Sequence, residues 1–238
     1  MKINFKFSSF SLKSAEDKIV EDAFFGNKKI VVTPNVDFLD RYVNEKDLIF
    51  NNLLDNADYV FCDSRIIKSI KNSSFNLITG SDLTKNILSN QKTVDLKIVF
   101  IGPQKKHSNF ITTQYGLNNV LSLCPNFGFE RSNTELNYIL SSVHDFKPNI
   151  IFLALGSPKQ ELLCDLMLKD NISSVFMNVG ASLDFLSGSQ KRSPLLLQKC
   201  GLEWLHRLIT RPTLWRRYKS NFKFIVKTNF LRNIEFKE

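Results

Sequence analysis

The sequence predicts an α/β protein: a mostly parallel sheet with helices on both faces, Rossmann-like, followed by a basic helical C-terminal appendage. Three observations carry this. Short, nearly continuous apolar runs rich in β-branched residues and Phe alternate with segments of helical periodicity. Glycines stand behind several of those runs, and the charge excess of the chain is confined to its last segment. Runs without polar alternation belong to strands buried on both faces, the usual state of a parallel sheet covered by helices.

Six runs are expected to be strands: Lys29–Thr33, Ala57–Cys62, Phe75–Thr79, Lys97–Ile101, Ile150–Leu155 and Val175–Val179. Between them, Asp82–Asn90 and Asn133–Phe146 place apolar residues at i, i+3, i+4 and read as helices. The first residues, MKINFKFSSFSLKS, alternate polar and apolar side chains and lack the apolar core of a signal peptide. The longest apolar run, Ile150–Leu155, is far short of the ~20 residues that a spanning helix needs. A cytoplasmic protein that does not cross a membrane is the expectation.

At 238 residues, 43% hydrophobic and 23% charged, the composition is globular and excludes disorder, collagen and coiled coil. The net charge of +9 is unevenly placed. Residues 191–238 hold 12 Lys+Arg against 3 acids, whereas residues 1–190 balance at 20 against 20. The expected organisation is therefore a neutral α/β catalytic domain, 1–190, and a cationic appendage, 191–238. A uniformly basic nucleic-acid coat does not fit this distribution. The cysteines at 62, 124, 164 and 200 form no C-x-x-C pair and read as buried free thiols in a reducing compartment. The histidines at 107, 144 and 206 are scattered, so no zinc constellation is visible.

Four glycines, Gly80, Gly102, Gly156 and Gly180, follow expected strands, with capping side chains such as Ser81 or Asp82, and Ser157 before Pro158, close by. Ligands of open parallel sheets bind outside the carboxyl ends of the strands. There a glycine lets the backbone approach, and helix N-termini offer amides to phosphate. No G-x-G-x-x-G, no G-x-x-x-x-G-K-[ST], no G-x-S-x-G and no D-x-D occurs. Dinucleotide, P-loop and hydrolase-elbow readings lose their specific support, and a metal-independent reaction without cofactor is expected.

Polar clusters at the strand ends remain. They are Thr33-Pro34-Asn35 with Asp37, Cys62-Asp63-Ser64-Arg65, Thr79-Gly80-Ser81-Asp82 and Gly156-Ser157-Pro158-Lys159-Gln160-Glu161. The fifth runs from Gly180 through Asp184 to Gly188 and on to Arg192 and Pro194. Each has a plain structural reading as well. Asn35 or Thr33 can cap a helix with Pro34 near its first turn, and Asp63 can cap a helix starting at Ser64.

In order and spacing these clusters resemble the WecG/TagA/CpsF family of bacterial glycosyltransferases, from about Lys28 to Tyr218. The most specific pieces are GSPKQE at 156–161, G-x-x-x-D-F-x-x-G at 180–188 and GLEWLHRL at 201–208. The resemblance implies inverting transfer of an N-acetylated hexosamine, N-acetylmannosamine or its uronate, from a UDP-sugar to a polyprenyl-diphosphate-linked sugar of a cell-surface polysaccharide. It implies Asp63 as catalytic base, and Thr33 and Asn35 as substrate-pocket residues. Gln160 and Asp184 match further pocket positions, with Asp184 near the nucleotide, and Arg207 and Arg217 match appendage arginines that reach the site. Gly80, Ser81, Asp82, Gly102, Gly156 and Glu161 complete the expected substrate-binding set. Two departures stand out. Ser64 follows the base where the family usually has Gly, and Arg211-Pro212-Thr213-Leu214 replaces Glu-Pro-x-Arg, so the third arginine is absent at Leu214, with Arg211 and Arg216 nearby.

The chemistry suits these residue types. Inverting transfer needs a base on the acceptor hydroxyl, and an aspartate of ordinary pKa, ~3.9, is ionised at neutral pH. The departing diphosphate needs helix N-termini and arginines when no metal site is present. After Pro212, Trp215, Tyr218, Phe222 and Ile225 fall on one helical face flanked by Arg216, Lys219, Lys223 and Lys227. A basic amphipathic helix with aromatics suits an anionic membrane surface, so the expected location is the inner face of the cell membrane, held peripherally. A helix docked on the body with a solvated basic side is the simpler reading. The competing function is a non-catalytic phosphate-ligand or RNA-binding protein that uses the basic tail. No nucleic acid is expected as partner of the transferase, while self-association stays open.

Overall fold

The computed structural model describes residues 2–44, 48–71 and 75–190, together with Pro194, Leu197, Ile209, Trp215, Lys219, Glu235 and Phe236. Arg207, Arg217, the whole of GLEWLHRL (201–208) and nearly all of the expected tail helix lie outside the described residues. In chain order the first half runs β1 (Lys2–Ile3), α1 (Leu12–Phe24), β2 (Lys29–Val32), α2 (Val36–Asn44), α3 (Leu48–Asp55), β3 (Tyr59–Val60), α4 (Arg65–Lys71) and α5 (Gly80–Ser89). The second runs β4 (Lys97–Ile101), α6 (Lys105–Tyr115), β5 (Asn119–Leu123), α7 (Asn133–Phe146), β6 (Ile150–Leu153), α8 (Lys159–Lys169), β7 (Val175–Asn178), α9 (Ser182–Leu186) and β8 (Glu235–Phe236).

Six strands form one all-parallel sheet in the order β3-β2-β7-β6-β4-β5. Alternate residues of each strand point to opposite faces. Val32, Val60, Val99, Ile151 and Phe176 join Phe38, Phe50, Val143 and Leu163 of α2, α3, α7 and α8 in one core. Val31, Tyr59, Phe100, Phe152 and Met177 join Ile19, Leu83, Ile111 and Leu183 of α1, α5, α6 and α9 in the other. Two cores explain the sequence pattern: with both faces covered, polar residues of the inner strands are confined to the strand ends, at Lys29, Lys97 and Asn178.

Two details differ from expectation. Phe75–Thr79 is no strand; Leu77 makes a single parallel bridge to Cys62, and Thr79 already caps α5. Its apolar side chains are buried for another reason: Phe75 packs into one core and Ile78 into the other. Conversely, β5 carries Asn119 and Ser122 and its residues are mostly only half-buried, because it lies at the sheet edge. An edge strand needs no continuous apolar run, so its sequence signal is weak. The opposite edge, at β3, is bordered by the N-terminal segment. Ser8 donates its amide to the Val60 carbonyl, and its hydroxyl accepts from the Val60 amide.

The alternation of the first residues is real packing: Ile3, Phe5 and Phe7 are all buried. The short β1 pairs in parallel with β8, so the last strand lies beside the first. Cys62 and Cys164 are buried and free as expected, and burial pushes the Cys62 thiol up to about 12. Cys124 is exposed, a correction with a simple cause, since it follows the edge strand directly. No helix among the described residues is long and apolar enough to cross a membrane.

Candidate active site

Parallel strands deliver their carboxyl ends to one edge of the sheet, so the polar clusters meet there although they are far apart in sequence. Across that edge the order is Asp63 after β3, Thr33 and Asn35 after β2, Gly180 and Asp184 after β7, Gly156 to Glu161 after β6, and Gly102 after β4. Backbone pairing continues past the strand ends. Phe61 donates to the Val32 carbonyl at 3.0 Å and Asp63 to the Pro34 carbonyl at 3.1 Å. Asp63 is thereby held alongside the Thr33–Asn35 turn.

The first turn of α5 closes against the same place. A Cβ built on Gly80 would lie 2.9 Å from Thr33 Oγ1 and 3.4 Å from Ser182 Oγ. Only a residue without a side chain lets α5 approach β2 and α9 so closely. Thr79, not Ser81 or Asp82, caps this helix: its hydroxyl accepts from the Asp82 amide at 3.2 Å. Ser81 is buried beside it, with its hydroxyl 3.2 Å from Thr79 Oγ1.

The two capping questions resolve differently. Asn35 does cap: its Oδ1 accepts from the amides of Asp37 and Phe38 at 3.0 and 3.2 Å, so Pro34 precedes the cap. At α4 the side-chain cap is Ser64, whose hydroxyl accepts from the Ile67 amide at 3.3 Å, and the helix starts at Arg65. The Ser64 that replaces a usual glycine therefore anchors the residue next to Asp63 rather than loosening it.

The GSPKQE segment is the most constrained part of the site. Gln160 is 1% exposed and Glu161 is fully buried. Gln160 donates through Nε2 to Glu161 Oε1 at 2.9 Å and accepts through Oε1 from the Gly180 amide at 3.0 Å. Lys159 is engaged elsewhere, paired with Glu130 at 3.0 Å and set over the Phe127 ring at 4.6 Å. Ser157 does not cap α8, which has no side-chain cap; it accepts from Arg41 Nη1 at 2.5 Å. Asp184 is half-buried, and its carboxylate accepts from the Ser189 hydroxyl at 3.2 Å.

Arg41 is the residue that sequence reasoning missed. It lies on α2, over the Phe50 ring at 4.8 Å, and reaches the loop after β6. A lone arginine in a helical pattern carries no signal of its own. The available hint was Glu161, an acid in a core-facing helix that calls for polar neighbours. No group of three or more side chains able to hold a metal converges among the described residues.

The model of the glycosyl transferase WecG/TagA/CpsF family matches residues 2–236. The chain belongs to this family. The match takes in the basic tail as well as the α/β body, so both are parts of one WecG/TagA/CpsF transferase. Within that transferase, Glu161 has an electrostatic consequence. Burial raises its carboxyl pKa, against the opposing pull of Gln160, its own amide, Ser157 and the Arg41 charge. Its Oε2 has no partner at hydrogen-bond geometry, although Ser157 and Arg41 act on the group.

A raised carboxyl pKa means that the folded chain holds this proton to higher pH than the unfolded chain does. Its contribution is complete below the ordinary carboxylate range and is lost as pH rises through the folded value. Glu161→Gln removes this dependence. The unfolding free energy of wild type relative to Glu161→Gln is expected to fall across the range from the ordinary carboxylate pKa upward, measured by urea denaturation. A difference that is constant or rises over that range contradicts the assignment.

Proposed function

We propose that this transferase moves an N-acetylated hexosamine, N-acetylmannosamine or its uronate, with inversion from a UDP-sugar to a polyprenyl-diphosphate-linked sugar in cell-surface polysaccharide assembly. The observation that carries the reading is the family match over residues 2–236. The juxtaposition of Asp63, the Thr33–Asn35 turn and Gly80 at one sheet edge supports it.

In this reading Asp63 takes the proton of the acceptor hydroxyl as that oxygen attacks the anomeric carbon and the UDP oxygen leaves. Thr33, Asn35, the first turn of α5 and Asp184 surround the donor. The N-termini of α2, α5 and α8 all open on this edge, and their amides favour the charge that grows on the departing diphosphate. Arg207 and Arg217 from the tail add charge-assisted bonds to the same oxygens, with Arg41 as a body-borne neighbour. The reaction then needs no resident metal. The tail meets the anionic membrane that holds the lipid acceptor; Trp215, which is helical and 59% exposed, suits that role.

The family match covers the basic tail and so supports transfer over RNA binding. Thermal unfolding with UDP, GDP or an RNA oligonucleotide separates the two. A ligand at a hundred times its Kd stabilises by about 2.7 kcal/mol, roughly 5–10 °C for a chain of this size. UDP is expected to give such a shift. A shift with the oligonucleotide and none with UDP overturns the proposal.

A further inference from the structure

We infer that Glu161 is a positioning residue: it sets the sense of the Gln160 amide, and through it fixes the Gly180 turn that walls the donor site. The inference rests on the donor-site reading above, and deepens it.

The Gln160 side chain has two chemically different ends at nearly the same shape. Gly180 presents an N–H donor, which only the oxygen end can accept. What keeps the oxygen on that side is the other end: Nε2 needs an acceptor, and Glu161 Oε1 supplies it at 2.9 Å. With an apolar side chain at 161 the amide loses one of the two bonds that fix its sense, and its Nε2 is left without an acceptor. Its reversed form sets an NH2 group against the Gly180 N–H, leaving two donors face to face.

The turn so fixed matters beyond itself. Gly180 follows β7 and leads into α9, where the Ser182 hydroxyl is tied to the Val179 carbonyl at 2.7 Å. Ser182 Oγ stands 3.4 Å from where a Gly80 Cβ would lie, beside Thr33. Gln160 thus couples the loop after β6 to the loop after β7, and the second loop abuts the first turn of α5. Packing alone does not account for an acid at 161. The position is fully buried in the first turn of α8, and its Oε2 has no partner at hydrogen-bond geometry. An apolar residue of the same length would fill the space without desolvating a carboxyl. Arg41, on α2, reaches this corner through Ser157.

The test uses the full chain and four variants: Glu161→Gln, Glu161→Met, Gln160→Leu and the double variant that joins Gln160→Leu to Glu161→Met. Glu161→Gln retains a carbonyl oxygen for Gln160 Nε2, and Glu161→Met retains only the length. Gly180 amide exchange, UDP affinity and the split between KM and kcat are measured, with melting temperature as the control for folding. Glu161→Met is expected to speed Gly180 exchange and to weaken UDP about tenfold, raising the donor KM more than it lowers kcat. Glu161→Gln is expected to keep Gly180 exchange within about threefold of wild type and to weaken UDP clearly less than Glu161→Met does, since the amide sense is kept. Gln160→Leu should match Glu161→Met, and the double variant should add nothing further.

Wild-type exchange and UDP affinity in Glu161→Met overturn the inference, as does equal damage from Glu161→Gln and Glu161→Met. If Glu161→Met does not fold, Gln160→Leu decides: it must lose Gly180 protection and UDP affinity together. If wild type does not bind UDP, the donor-site reading fails, whereas unchanged Gly180 exchange in Glu161→Met sinks the positioning role alone.

Discussion

Asp63→Asn is expected to lower glycosyl transfer by about 10²–10⁴ while UDP still binds with near-wild-type affinity. The substitution keeps the size of the side chain and removes its negative charge and with it the ability to take a proton. The surroundings make this a clean experiment. The Asp63 amide is held by the Pro34 carbonyl at 3.1 Å, and the adjacent Ser64 hydroxyl caps α4, two bonds that hold the backbone through atoms other than the carboxylate. Transfer measured as product formed per minute, at saturating donor and acceptor, gives the comparison. Turnover within tenfold of wild type shows that Asp63 is not the base.

The second large effect concerns folding. Gly102→Ala is expected to destabilise the chain by about 2–6 kcal/mol, the combined scale of backbone strain and overpacking. Gly102 has φ of +126°, a region that side chains other than hydrogen rarely adopt. An added Cβ would lie 2.4 Å from the Ala154 carbonyl oxygen and 2.8 Å from its carbon. Neither atom can swing aside, because both belong to the backbone that leaves β6 beside β4. The Gly102 amide is also bonded to the Leu123 carbonyl at 2.9 Å, so the residue joins three strands at the site's edge. A loss of this size is a large share of the 5–15 kcal/mol that usually holds a domain together. The midpoint of urea unfolding reads it directly, and a change below about 1 kcal/mol contradicts the steric argument.

The sheet was legible in the sequence where both of its faces are covered. Ile150–Leu153 and Val175–Asn178 are buried at every position, and the one polar residue between them, Asn178, stands at the carboxyl end of its strand. Legibility failed at the edges. Asn119–Leu123 carries no strand signal because one-sided pairing and partial exposure tolerate Asn and Ser, and Phe75–Thr79 resembles a strand because Phe and Ile are buried there by packing rather than by pairing.

The clusters of the site were readable because glycines and capping residues must stand at strand ends. Their roles were less so. Thr79 rather than Ser81 caps α5, and Ser64 rather than Asp63 supplies the side-chain cap of α4, choices that depend on where each helix begins by one residue. Arg41 was invisible for a different reason: its place in the site is made by tertiary contact with Phe50 and Ser157, which no local pattern encodes.

The central claim is transfer of one hexosamine from UDP to a lipid-linked acceptor. It is tested most directly by incubating the full chain with UDP-N-acetylmannosamine and a synthetic prenyl-diphosphate-linked sugar, then measuring the mass and anomeric configuration of the lipid product. A gain of one N-acetylhexosamine residue, UDP released mole for mole, and an inverted anomeric centre are expected. A retained configuration, or no mass gain with any UDP-hexosamine or uronate donor, contradicts it.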